Sequence, residues 1–325
     1  MHLRLFGALG MKKLKIIASA ASIGLLAAVI ALSDPAALLR TASEANKAYI
    51  GAAFAVSALS VCFRVLKWKI LVGVDYFTLF PVQLFGMTVS NFTPGKAGEP
   101  AKALALKTVT GIPVARSLPT VIWERIMDIL VLLVLSAAFM QGASLGGDLL
   151  RFSYAGMGIF AAAFLLLLLV LTSRRFGESL FAMLRTLPPL KGLSSGFLET
   201  FYGTSFPKSV LAKSFLVTAV PWILDAVVLY LVLLSLGLEM PVIALAGVIS
   251  ISTIIGVASS LPGGIGSMEA VASLLLTSLG IAGVTAVAAI LIFRAATFWF
   301  GSLLGALSFL YISRKYDMRA ERLFK

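Results

Sequence analysis

PGKAGEP, residues 94–100, interrupts a run of short apolar stretches, 78–91 before it and 97–108 overlapping its end. Neither reaches the roughly 20 residues needed to cross a bilayer as a helix. LPGGIG at 261–266 sits in the same way between 242–260 and 267–279. Proline and glycine break a helix, and broken backbone at membrane depth is tolerated only against protein or a watery cavity. Segments 78–108 and 242–280 are therefore predicted to be re-entrant helical hairpins with their tips inside the membrane.

The rest of the chain makes the bilayer its solvent. Of 325 residues 60% are hydrophobic and 13% charged, whereas soluble domains carry about a quarter charged residues; mean hydropathy is +1.02. Full spans are predicted at about 14–32, 48–66, 114–138, 150–172, 211–236 and 283–311. The fold class is thus all-α and polytopic, with six spans and two hairpins. Lys12, Lys13 and Lys15 precede the first apolar run, which reads as an uncleaved span rather than a signal peptide.

The net charge of +13 lies in short groups flanking the apolar runs and reads as topology signal, with no nucleic-acid partner expected. Lys12 to Lys15, Arg64 with Lys67 and Lys69, Arg174 with Arg175, Lys208 with Lys213, and Arg314 with Lys315 fall on one side, taken as cytoplasmic. Arg40, Lys47 and Arg151 fall on the other. Both termini are then inside, and the three crossings between the hairpins open the first to the cytoplasm and the second outward. The expected divisions are a first span with an outer loop (1–47), a first membrane half (48–173), a basic cytoplasmic linker (174–210) and a second half (211–325). The linker carries Arg185, Pro188, Pro189 and Lys191.

Pro94, Gly95 and Gly98 recur at the spacing of Pro262, Gly263 and Gly266. Arg125 and Arg294 follow at nearly equal distances, and Glu99 and Glu269 follow at offsets differing by two. One such match arises by chance in roughly a tenth of chains of this composition, so two with trailing arginines point to an internal repeat. Helices starting near Ala97 and Ser267 are expected to aim free N–H groups and positive dipole ends at the membrane middle, an arrangement suited to phosphate. The alternative is that the glycines serve tight packing. WERIMD, 123–128, puts Glu124, Arg125 and Asp128 within about one helical turn. Each charge costs about 2.5–3.5 kcal/mol at a helix centre, so partners or water are required. Asp225 adds another, and a structural ion-pair network is the alternative reading. Lys96, Lys102, Lys107 and Arg116 surround the first hairpin, either drawing in a phosphate headgroup or following the cytoplasmic charge bias.

SNFTPGKAGEPAKA, WERIMD and LPGGIGSMEA together resemble the flippase-like integral membrane family that includes the transmembrane region of lysylphosphatidylglycerol synthase. The resemblance covers essentially the whole chain. It implies movement of anionic, aminoacylated or polyisoprenyl-phosphate-linked lipids between leaflets of the cell membrane. It also implies a lipid cavity formed by Pro94, Gly95, Gly98, Glu99, Glu124, Arg125, Asp128, Pro262, Gly263, Gly266, Glu269 and Arg294. Bifunctional synthases add a soluble aminoacyl-transfer domain; the residues up to Lys325 contain no counterpart, so lipid synthesis by this chain alone is not expected.

His2 is the sole histidine and Cys62 the sole cysteine, which argues against zinc hydrolysis and Ser-His catalysis. No P-loop is present, and neither cofactor nor metal is expected. A transporter of phosphate-bearing lipids is the leading expectation, with a lipid-modifying enzyme or a second copy as further partners. An intramembrane glycosyl or phosphoryl transferase using a carboxylate base is the alternative.

Overall fold

The computed structural model describes residues 19–142, 147–184 and 195–316, and every regular element among them is helical. The helices are α1 (Ser19–Ala31), α2 (Pro35–Glu44), α3 (Lys47–Val72), α4 (Tyr76–Asn91), α5 (Ala101–Thr110), α6 (Val114–Gly142), α7 (Gly147–Thr172), α8 (Arg174–Leu184), α9 (Ser195–Gly203), α10 (Lys208–Ser235), α11 (Val242–Ala258), α12 (Ser267–Ser278), α13 (Gly283–Arg294) and α14 (Phe300–Tyr316). Among the described residues four helices are long and apolar enough to cross a membrane, or five if the bent pair α1–α2 counts as one span. The chain is a multi-pass helical membrane protein.

Local chemistry sets the helix ends. The Asn46 side chain accepts from Ala48 N at 2.9 Å to start α3, and Gly73, at φ 73°, ends it with its N–H on Lys69 O. The Asp75 carboxylate then accepts from Phe77 N and Thr78 N at 3.0 and 3.1 Å, satisfying orphan donors of α4. These bonds, that from Thr78 above all, hold the carboxyl below its usual range. Gly111 closes α5 in the same left-handed way as Gly73.

Segments between the expected spans also carry helices. α1 falls within the expected first span, 14–32, and meets α2 at 79°; residues 1–18 lie outside the described part. The expected outer loop before Lys47 contains α2, capped by Asp34, and Leu38 of α2 packs with Val287 and Ala288 of α13. An amphipathic ten-residue helix was not distinguishable from a loop on hydropathy alone. The basic linker also holds two helices. Phe181 of α8 and Phe201 of α9 are buried against Val170, while Arg185, Pro188, Pro189 and Lys191 lie outside the described residues.

The main core joins α3, α6, α10, α11, α12 and α13 through side chains such as Leu132, Leu229, Ile251, Leu275 and Phe293. A second cluster, including Val65, Trp68, Leu79 and Leu106, binds α3 to α4, α5 and α6. Both motif segments have one order: a helix, a 3₁₀ turn, a short helix, then a long helical stretch. The turns are Pro94–Lys96 and Pro262–Gly264, and the two turns touch. α3 packs along α10, α6 along α11, and α4 along α14. α13 runs into α14 through a π-helical segment, Ala295–Trp299.

Candidate functional site

Each motif turns on a left-handed glycine, Gly95 at φ 57° and Gly263 at φ 62°, a conformation that L side chains resist. The next residue is left-handed too: Lys96 at φ 59° and Gly264 at φ 61°. The second motif needs glycine there for space as well, since a Cβ on Gly264 would lie 3.1 Å from the backbone of Gly256. Lys96 has no such relief and holds a conformation costing about 1–2 kcal/mol for a residue with a Cβ.

A cavity of about 130 Å³ opens where the turns meet, room for several waters or a phosphate-sized group. Arg64 and Ser60 of α3, Trp222 and Asp225 of α10, and Gly95, Lys96, Glu99, Arg125, Gly263, Arg294 and Phe298 all face it.

Its charges are ordered in pairs. Arg125 Nε lies 2.5 Å from Glu99 Oε2, and its Nη2 lies 2.7 Å from Asp128 Oδ2. The first contact is off the angle of a hydrogen bond and leaves both atoms without one, so it acts as an ion pair. Arg294 Nε donates to Glu269 Oε1 at 2.7 Å, and Nη2 donates to the Gly263 carbonyl at 3.0 Å. Its guanidinium also stacks 4.1 Å from the Phe298 ring centroid. Arg64 pairs with Asp225 at 2.5 Å, and Ser60 donates to the same carboxylate at 2.8 Å.

Behind the cavity wall lies a dry layer. Lys67 and Lys102 are each 1% exposed and Glu124 is 0% exposed. Lys67 Nζ lies 2.7 Å from Asp128 Oδ1 and 3.1 Å from Glu124 Oε1. Lys102 pairs with Glu124, donates to Gln83 Oε1 at 3.2 Å and sits over the Trp68 ring. Such pairs offset the cost of burying their charges only because each group has further partners.

Of the residues singled out from sequence, Gly95, Lys96, Glu99, Arg125, Gly263 and Arg294 line the cavity. Glu124, Asp128 and Glu269 pair with cations around it, while Pro94 and Pro262 open the two turns. Three expectations change. Lys102 is not available to meet a headgroup, because Glu124 holds it in the dry layer. The first short helix starts at Ala101 rather than near Ala97. Two of the motif amides are not free for an anion either: Gly98 N donates to Thr93 Oγ1 and Gly266 N to Glu269 Oε2, both at 2.7 Å.

Residues 15–305 match the family described as the lysylphosphatidylglycerol synthase TM region. The chain belongs to that family. Its relatives include UPF0104 membrane proteins of three archaea. One from Methanothermobacter thermautotrophicus is 25% identical over 310 residues, covering 88% of this chain and 92% of the relative. That from Pyrococcus horikoshii is 25% identical over 286 residues, covering 78% and 84%. That from Methanocaldococcus jannaschii is 24% identical over 305 residues, covering 87% and 90%.

In this member of the lysylphosphatidylglycerol synthase TM family, sequence reasoning missed Arg64 and Lys67, counting both as cytoplasmic topology signals. Placing the span end at residue 66 put Lys67 in water, whereas α3 runs to Val72. A signal was present in the excess of membrane-depth carboxylates over assigned cations. Five carboxylates needed partners, and Arg64 and Lys67 lie one turn apart at the end of the nearest apolar run.

Proposed function

We propose that this protein moves a lipid with a phosphate-bearing headgroup between membrane leaflets, with the headgroup crossing through the cavity between the two motif turns. One observation carries the reading: four cations, Arg64, Lys96, Arg125 and Arg294, face a cavity whose lining carboxylates are two, Glu99 and Asp225. That excess suits an anion. The apolar chains remain in the bilayer, so only the headgroup needs a polar path.

The helix packing supports an inverted repeat with re-entrant hairpins. α3 matches α10, α4 matches α11, and α6 matches α13 with α14. The packing α6 on α11 is then the counterpart of α4 on α14, while α3 on α10 and turn on turn are their own counterparts. Reciprocal contacts of this kind are what a pseudo-twofold axis generates, and inverted repeats place transport sites at their midplane interface. With Lys67 and Arg64 removed from the charge count, Lys69, Arg174, Arg175, Lys208, Lys213, Arg314 and Lys315 still favour one side as cytoplasmic. Both termini then lie inside a multi-pass protein of the cell membrane. Anionic, aminoacylated and polyisoprenyl-phosphate-linked lipids are the candidate cargoes, and a lipid-modifying enzyme or a second copy of the chain are candidate partners. A cavity with equal affinity in both facing states exchanges lipid without directional bias.

The test is the purified chain in liposomes with fluorescent phospholipids or polyisoprenyl phosphates. Faster leaflet exchange of unaltered lipid than in protein-free vesicles supports the reading. A new chemical product would replace it with an intramembrane transferase; neither exchange nor product would rule out transport by the chain alone.

A further inference from the structure

The charges of the cavity and the layer behind it do not balance. Six cations gather there, Arg64, Lys67, Lys96, Lys102, Arg125 and Arg294, against five carboxylates, Glu99, Glu124, Asp128, Asp225 and Glu269. Among the described residues every one of those carboxylates has a cation within 4.0 Å, and every cation but Lys96 has a carboxylate within that distance. The surplus of one positive charge therefore belongs to a single residue. Lys96 lines the cavity on a left-handed backbone at φ 59°, where the other motif has Gly264. A strained backbone and an unpaired ammonium in one residue are a combination that folding alone does not favour.

We propose that the cavity is built for a phosphodiester carrying one negative charge, with Lys96 as the group that pairs with it. The assignment rests on the lipid-transport reading only in taking that phosphodiester to be part of a lipid. A singly charged diester brings the cluster to neutrality. A phosphate monoester carries about −1.5 to −2 at pH 7 and overshoots. A zwitterionic headgroup brings its own ammonium and leaves the surplus in place. These ligands differ in charge, and among the cations of the cluster Lys96 is the one with no carboxylate within 4.0 Å.

The test is equilibrium binding by calorimetry, with the full chain in uncharged maltoside micelles at pH 7.5 and low salt. The ligands are dihexanoyl phosphatidylglycerol, phosphatidylcholine and phosphatidic acid, together with deacylated glycerophosphoglycerol. Phosphatidylglycerol is expected to bind at least about tenfold more tightly than phosphatidylcholine, a difference of roughly 1.4 kcal/mol, and more tightly than phosphatidic acid. Lys96→Gly removes the charge while relieving the left-handed strain, so a fold at least as heat-stable as the parent is expected, with that preference lost. Lys96→Arg should keep it. Full preference in folded Lys96→Gly, or phosphatidylcholine or phosphatidic acid binding as tightly as phosphatidylglycerol, would overturn the proposal. Glycerophosphoglycerol binding as tightly as the lipid would overturn the lipid source. Preferential binding without leaflet exchange in liposomes would sink the transport reading alone; exchange without headgroup preference would sink this one alone.

Discussion

Lys67 of α3 donates to both carboxylate oxygens of Asp128 of α6, at 2.7 and 2.8 Å, and Trp222 Nε1 of α10 donates to the same group at 3.0 Å. Three helices thus converge on one carboxylate that is 3% exposed. Removing one member of such a buried pair leaves a charge uncompensated, at a cost of about 3–5 kcal/mol. Lys67→Met and Asp128→Leu are each expected to lower the unfolding midpoint in micelles sharply. The double variant should recover much of the loss. Its former neighbours keep other partners, Glu124 on Lys102 and Arg125 on Glu99. A double variant as unstable as the summed singles would show that the two residues are not energetically coupled.

The motif glycines share a backbone conformation but differ in what surrounds them, which separates strain from packing. A Cβ on Gly263 would lie 2.6 Å from the Phe298 ring and 2.8 Å from the Asn91 carbonyl, whereas one on Gly95 meets only Ser260 Oγ at 3.9 Å. Gly95→Ala should therefore cost about 1–2 kcal/mol from the left-handed backbone alone. Gly263→Ala should cost more, because the Asn91 backbone cannot move aside cheaply. Thermal unfolding of the two variants side by side checks the order, and equal midpoints would contradict it.

The helical, membrane-embedded character and the two motifs were legible because hydropathy and proline–glycine turn chemistry act over a few residues. The partners of the charges were not. Lys67 reads as an interfacial lysine by every local criterion, and its carboxylate lies 61 positions away in the chain. Local reading also favoured free amides at the short-helix starts, since nothing in PGKAGEP announces that Thr93 folds back onto Gly98 N. At the other motif the capping pattern was readable, with Glu269 third after Gly266. A glutamate at that position takes the N-cap amide for itself, as Glu269 Oε2 does with Gly266 N.

Orientation is open to direct measurement. With Cys62 replaced by serine, single cysteines at Lys107, Lys208 and Arg314 are expected to react with a membrane-impermeant maleimide only in inside-out vesicles. A cysteine at Arg40 or Arg151 should react only in right-side-out ones. The three charges on the inner list and the two on the outer list follow from the positive-inside bias with both termini inside. Labelling of Lys107 and Arg40 positions from the same side would overturn the assignment and, with it, the opposite openings of the two hairpins.

Arg125 and Arg294 stand after equivalent motifs but are held differently. Arg125 has two carboxylates and a side chain 24% exposed to the cavity; Arg294 has one carboxylate and is 7% exposed. Arg125→Gln leaves Glu99 facing the cavity without its cation, which should repel a passing phosphate while Asp128 keeps Lys67. Leaflet exchange is expected to slow by well over about tenfold, or roughly 1.4 kcal/mol in the barrier, with a smaller fall in the unfolding midpoint than for Arg294→Gln, because Glu99 borders the cavity. Arg294→Gln removes the guanidinium that joins Glu269 to the Gly263 carbonyl, so slower exchange should come with a clear loss of stability. Arg294→Lys would not rescue it, since one ammonium cannot reproduce the forked contact and the stacking on Phe298 together. Liposome exchange and thermal unfolding on the same preparations separate the two effects. Unchanged exchange in folded Arg125→Gln, Arg294→Gln and the double variant would remove these arginines from the headgroup's path.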